Sequence, residues 1–138
     1  MLFSERIVSD AAYRNRKLQT CADDRPLIVQ LQGNEPSCVA SAAALVQASL
    51  ACDAIDLNLG CPLAQAESGC FGSYLLAREH WPRVAAIIRA MVDVVSLPVC
   101  AKVRLRYHRI PPIDHSGTLL LVPGARALTR LALTRGGG

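Results

Sequence analysis

No apolar run in this 138-residue chain approaches the roughly 20 residues that a membrane-crossing helix needs. Stretches such as 119-LLLV-122 fall far short. The opening MLFSERIVSD has no apolar core of the secretory type and carries Glu5 early, so the sequence predicts an intracellular protein with no membrane partner. None of the six cysteines, at 21, 38, 52, 61, 70 and 100, stands in a C-x-x-C pair, and no histidine lies at finger-like spacing from two of them. That excludes the usual zinc site, and no metal is expected. Without a secretion signal a disulfide framework is not expected either. Five of the cysteines are read as small core residues; Cys61 is set apart by its surroundings.

What is present is globular composition. Half the residues are apolar (51%), enough at this length for one domain with a real core. Charge is uneven. Residues 1–103 carry 9 basic and 10 acidic groups, whereas 104–138 carry six arginines, no lysine and a single acid, Asp114. The net charge of +4 therefore belongs to the tail. Its arginines are not interleaved with aromatics beyond Tyr107, so a solvated end is favoured over a nucleic-acid-binding strip.

Three strand-plus-helix units are legible. The run 26-PLIVQLQG-33 reads as a strand opened by Pro26 and closed by Gly33. Asn34 is the expected N-cap of a helix over about 36–51, with Pro36 in its first turn and Val39, Ala42, Ala43, Val46 and Leu50 on one face. A second strand covers 53-DAIDLNL-59, followed by a loop and a segment 72-GSYLLAREH-80 that begins helically. Pro82 opens a helix whose buried stripe is Val84, Ile87, Ile88, Met91, Val92 and Val95. The third strand is 97-LPVCAKVRL-105, and 5-ERIVSDAAYRNRKLQ-19 reads as one helix ahead of the first strand. Such alternation predicts an α/β fold with parallel strands. After Leu105 it stops, and ALTR repeats at 127–130 and 132–135 before three glycines. The expected organisation is a domain over 1–105 and an irregular, basic, low-complexity tail over 106–138.

Ligands of parallel α/β folds gather beyond the C-terminal strand ends, and all three strands end in polar residues: Gln30 and Gln32, Asn58 with Cys61, and Lys102 with Arg104. Amides, a thiol and two cations suit one planar, hydrogen-bonding ligand. The ordered set LIVQLQGN, 56-DLNLGCP-62, 68-SGCFGSYLL-76 and AKVR resembles the dihydrouridine synthase family, over about residues 1–105. The resemblance implies a partial TIM (β/α)8 barrel of about three βα units, FMN as cofactor, NADPH as reductant and tRNA as substrate, hence a cytoplasmic or nuclear location.

Residue by residue, the resemblance implies that Cys61 is the catalytic acid that protonates C5 of uracil. It implies that Gln30 and Lys102 bind the flavin, and that Asn58 and Arg104 contact the substrate. Cys70 stands where the family more often has a basic or polar residue. The family's later strands, with their phosphate and histidine loops, find no counterpart in 106–138. The expectation is thus a truncated synthase, inactive alone, whose open sheet edges call for a partner or self-association. Two other readings compete. Dihydroorotate or dihydropyrimidine dehydrogenase-like flavoproteins carry an N-x-S-C-P strand end, but Gly60 before Cys61 and the following S-G-x-F-G favour the synthase. A non-catalytic RNA- or protein-binding fragment would be indifferent to Cys61→Ala.

Overall fold

The computed structural model describes residues 1–103; the tail, Arg104 included, lies outside the described residues. The elements run β1 (Leu2–Phe3), α1 (Ser4–Ser9), α2 (Ala11–Lys17), β2 (Ile28–Gln32), α3 (Pro36–Ser49), β3 (Ala54–Leu59), α4 (Ala64–Ser68), two 3-10 turns (Gly72–Leu76 and Arg78–His80), α5 (Trp81–Val94) and β4 (Val99–Val103). The strands form one parallel sheet in the order β1-β2-β3-β4. Each strand lies beside its successor, as in a barrel wall and unlike a doubly wound sheet, where the order reverses. The four strands of the described residues leave the wall open, so their architecture is a partial barrel.

Alternation along the strands divides the sheet into two faces. Val29, Leu31, Ile55, Leu57, Leu59 and Val99 are buried in the core, together with Val39, Ala42, Ala43 and Val46 of α3 and Ile87 and Met91 of α5. Val84, Ile88, Val92 and Val95 pack partly buried against it, so both expected helix stripes face the sheet. The alanines of α3 let α5 pack closely beside it. Gln30, Asp56, Asn58 and Lys102 fall on the opposite face by the same alternation. Burial of one face and polarity of the other fix the strand register, since a slip of one residue would exchange the faces.

Three sequence expectations need correction. The segment 5–19 is two helices, broken at Asp10, whose carboxylate accepts from the Tyr13 backbone N–H at 2.8 Å and caps α2. Ile7 and Tyr13 are both buried, and a continuous helix would put residues six apart on different faces. The cap of α3 is Glu35, not Asn34. Its carboxylate accepts from the backbone N–H groups of Ser37 and Cys38 at 3.2 and 2.6 Å. Among the cysteines read as core residues, Cys21 is exposed, while Cys38, Cys70 and Cys100 are half-buried and Cys52 is buried.

Candidate functional site

The site grows from the C-terminal half of β3. Asn58 is buried at the strand end, and its side-chain oxygen accepts from the backbone N–H groups of Gly60 and Cys61, at 3.2 and 3.0 Å. An asparagine that bonds its own chain two and three residues on closes a tight turn, which here holds Cys61 at the mouth of the strand. Pro62 follows where no strand N–H is needed. The Asn58 amide nitrogen donates in turn to the Gln30 side-chain oxygen on the neighbouring strand at 2.8 Å. One amide thereby fixes both the catalytic candidate and the flavin candidate.

Gln30 is itself oriented from below: its Nε2 donates to the Asp56 carboxylate. A carboxylate accepts only, so it forces the Gln30 nitrogen toward itself and the Gln30 oxygen toward Asn58. This in turn leaves the Asn58 oxygen for the Cys61 turn. Asp56 is 6% exposed, and burial pushes its pKa up, opposed by the Gln30 and Cys100 hydrogen bonds and the Lys102 charge. Sequence reading passed over Asp56. The signal was there, an acid between Ile55 and Leu57 in a strand whose apolar residues alternate with it. Beside it, burial first and the Asp56 carboxylate second push the Cys100 thiol up to about 12.

The register aligns these groups in two lateral rows. Gln30 pairs with Asp56 and Asp56 with Cys100; one level higher, Asn58 pairs with Lys102. Lys102 is exposed, and its charge acts on Asp56. Gln30, Asn58, Cys61 and Lys102 are thus brought to one end of one face, while Arg104 lies outside the described residues.

The loop after Cys61 closes over it. The Cys61 carbonyl accepts from the backbone N–H of Ser73 at 3.0 Å and from its hydroxyl at 2.9 Å. Gly72, at φ +63°, comes so close that an added Cβ would stand 2.7 Å from the Cys61 carbonyl oxygen and 2.9 Å from its Cβ. Cys61, Ala66 and Phe71 form a small buried cluster against which Phe3 and Tyr74 pack. Asn34, released from capping, donates to the Gly69 carbonyl at 2.8 Å and ties the β2 loop to this one. Cys70, at φ +48°, holds its sulfur 3.6 Å from Nε2 of His80. Among the described residues there is no cluster of three or more His, Cys, Asp or Glu side chains able to hold a metal, and no helix long and apolar enough to cross a membrane.

Comparison with known proteins sets this geometry in a family. The model of the family described as dihydrouridine synthase (Dus) matches residues 1–126. A rat protein named tRNA-dihydrouridine(16/17) synthase [NAD(P)(+)]-like is 41% identical over 116 residues, 83% of this chain and 25% of its own length. The Schizosaccharomyces pombe tRNA-dihydrouridine(16/17) synthase [NAD(P)(+)] is 35% identical over 130 residues, 92% of this chain and 31% of its own. The Escherichia coli K12 tRNA-dihydrouridine(20/20a) synthase is 34% identical over 107 residues, 76% of this chain and 30% of its own. The chain spans between a quarter and a third of the length of these relatives.

Proposed function

Because the chain belongs to the dihydrouridine synthase family, we propose that its polar sheet face is the acid-bearing half of a flavin-dependent site reducing uridine to 5,6-dihydrouridine in tRNA. The observation that carries the proposal is the double use of Asn58, whose one amide clamps the Cys61 turn and orients Gln30. An asparagine that served only its own turn would not need to couple that thiol-bearing loop to a polar residue 28 positions away on the neighbouring strand. A site that must hold a proton donor and a planar ring in register does.

The donor set fits FMN. The pyrimidine edge of the flavin alternates donors and acceptors, and Gln30 keeps one N–H and one lone pair after serving Asp56 and Asn58. Lys102 adds an exposed cation on the same face, suited to the negative charge of a reduced flavin. When bound, FMN supplies the hydride that reaches C6 of uracil, with NADPH restoring the reduced form. Cys61 gives its thiol proton to C5; it acts as an acid, and so works protonated, unlike a nucleophilic thiol. Asn58 holds the thiol-bearing turn and presents its remaining polar capacity to the uracil, and Arg104 contacts the same substrate. A uridine stacked in tRNA must leave its stack to reach Cys61, and phosphate contacts would make affinity fall with salt. Such an enzyme works where tRNA resides, in the cytoplasm or nucleus. The described residues supply four of the eight strands of a barrel, so turnover of tRNA calls for strands beyond β1 and β4.

Flavin fluorescence tests the cofactor half of the reading. Adding the 138-residue chain should quench FMN saturably, and Gln30→Ala should weaken binding about tenfold by removing one or two hydrogen bonds. Quenching that Gln30→Ala and Lys102→Ala leave unchanged would overturn this assignment.

A further inference from the structure

The polar row that holds Asn58 and Lys102 has one more member. Phe3 pairs with Gln32, and Leu31 with Leu57, so one step along the same parallel register sets Gln32 beside Asn58. Gln32 is 1% exposed, yet neither its side-chain oxygen nor its side-chain nitrogen has a hydrogen-bond partner. Ser4, also 1% exposed, has an equally unpartnered hydroxyl. Buried polar atoms nearly always find a partner, and three orphaned atoms along one cleft mark a place where the partner arrives from outside. Both residues line a cleft of about 420 Å³ that Phe3, Asn34, Gly69 and Phe71 also line. That volume lies within the roughly 300–1,000 Å³ of small-ligand pockets.

The chemistry of the cleft selects its occupant. An amide offers a donor and an acceptor side by side, the complement of a nucleobase edge, and the hydroxyl adds a third polar atom. Phe3 and Phe71, in edge-to-face contact at 6.0 Å, supply aromatic surface for a planar ring. The charged residues at the rim are two acids, Glu5 and Glu35, which repel a phosphate and leave a neutral heterocycle as the fitting ligand. Phe71 also packs in the buried cluster of Cys61, so the cleft and the proposed proton donor share that ring as a neighbour.

We infer that the cleft is a second base-binding recess, in which Gln32 and Ser4 read the base of a nucleotide neighbouring the uridine reduced at Cys61. The inference rests on the function proposed above. Gln32 then selects the sequence context of the substrate, while Gln30, Asn58 and Cys61 serve the reacting base.

Nitrogen-15 NMR of the 138-residue chain tests it, with the Gln32 side-chain amide assigned by its loss in Gln32→Met. Titrated in turn, adenosine, guanosine, cytidine and uridine should include at least one that moves the Gln32 amide. Ser4→Ala should weaken that binding about fivefold, the loss of one hydrogen bond. Nucleosides that move only the Gln30 and Asn58 amides would overturn the recess and leave the reaction site standing. No shift at any of the three amides would count against both. Movement of Gln32 by inorganic phosphate alone would also overturn the recess, since the rim acids exclude that ion. Without ligand, Gln32→Met should melt at the same temperature as the wild type or higher, because it removes an unpaired buried amide. A clear drop would show that the amide serves the fold and would refute the assignment.

Discussion

Replacing Gly72 by alanine strikes the fold where it touches the proposed acid. Two costs combine. At φ +63° a residue with a Cβ loses about 1–2 kcal/mol relative to the right-handed region. The new methyl would also stand 2.7 Å from the Cys61 carbonyl oxygen and 2.9 Å from the Cys61 Cβ. Both neighbours belong to a turn pinned by Asn58 on one side and by Ser73 on the other, so they cannot give cheaply, and overpacking of this kind costs about 1–3 kcal/mol. The total is about 2–5 kcal/mol, a large share of the roughly 5–15 kcal/mol that holds a domain together. Trp81 reports the change. It is the chain's single tryptophan, and its indole N–H donates to the Leu76 carbonyl at the end of the 3-10 turn that Gly72 begins. In urea titrations followed by its fluorescence, the midpoint should fall by about 1 M or more, given a slope near 1–3 kcal/mol/M. Cys70→Gly, two residues away at φ +48°, should do the reverse or nothing. It relieves about 1–2 kcal/mol of backbone strain against about 0.4–1 kcal/mol of added unfolded-state entropy. A Gly72→Ala unfolding free energy within about 0.5 kcal/mol of wild type, the range of an ordinary surface change, would refute the close approach.

Other consequences follow from the charges and thiols. Asp56 has its pKa raised, chiefly by burial, so the folded state binds this proton more tightly than the unfolded chain; its contribution is fullest at low pH and is lost as pH rises through the raised value. Asp56→Asn, neutral and still able to accept from Gln30, should therefore be more stable than wild type near neutrality, as thermal melts across pH would show; a variant that is less stable there would contradict the sign. Asp53 goes the other way: the Leu27 N–H first and Arg25 second lower its pKa, so its contribution is present above the ordinary 3.8 and lost as pH falls through the lowered value. Asp53→Asn should flatten that acid limb of the melt profile, and an unchanged limb would tell against it. In timed alkylation with mass mapping, exposed Cys21 should react first and Cys100, pushed up to about 12, among the last; rapid labelling of Cys100 would contradict its placement against Asp56.

How much of this was legible in the sequence depended on the range of the interactions involved. The strands showed themselves because β2 and β3 alternate between a helix-packed face and a polar one, and the stripes of α3 and α5 repeat with the helical period. The five residues of α4 are too few to display a period, and the region read as plain loop. Asn34 and Glu35 are adjacent capping candidates, and local sequence does not choose between them. The choice is made by Gly69, 35 positions away, which takes the Asn34 amide. The helix break at Asp10 was visible as a capping residue in mid-run, though the segment 5–19 read as one helix. At the site, residue types and spacing pointed to Gln30, Asn58, Cys61 and Lys102, which the fold brings to one face. What the sequence could not display was the direction of each amide. That is set by Asp56 from a neighbouring strand, and only the register reveals it.

The central claim is that Cys61, held by Asn58, is the proton donor for uridine reduction. Its most direct test places the part of this chain that matches the rat relative into that protein, in exchange for the 116-residue segment with which it is 41% identical, and digests the tRNA product to nucleosides for mass analysis. The account predicts that the chimera forms dihydrouridine, and that Cys61→Ala abolishes the product while FMN stays bound. A Cys61→Ala chimera that still forms dihydrouridine at the parent rate would contradict it.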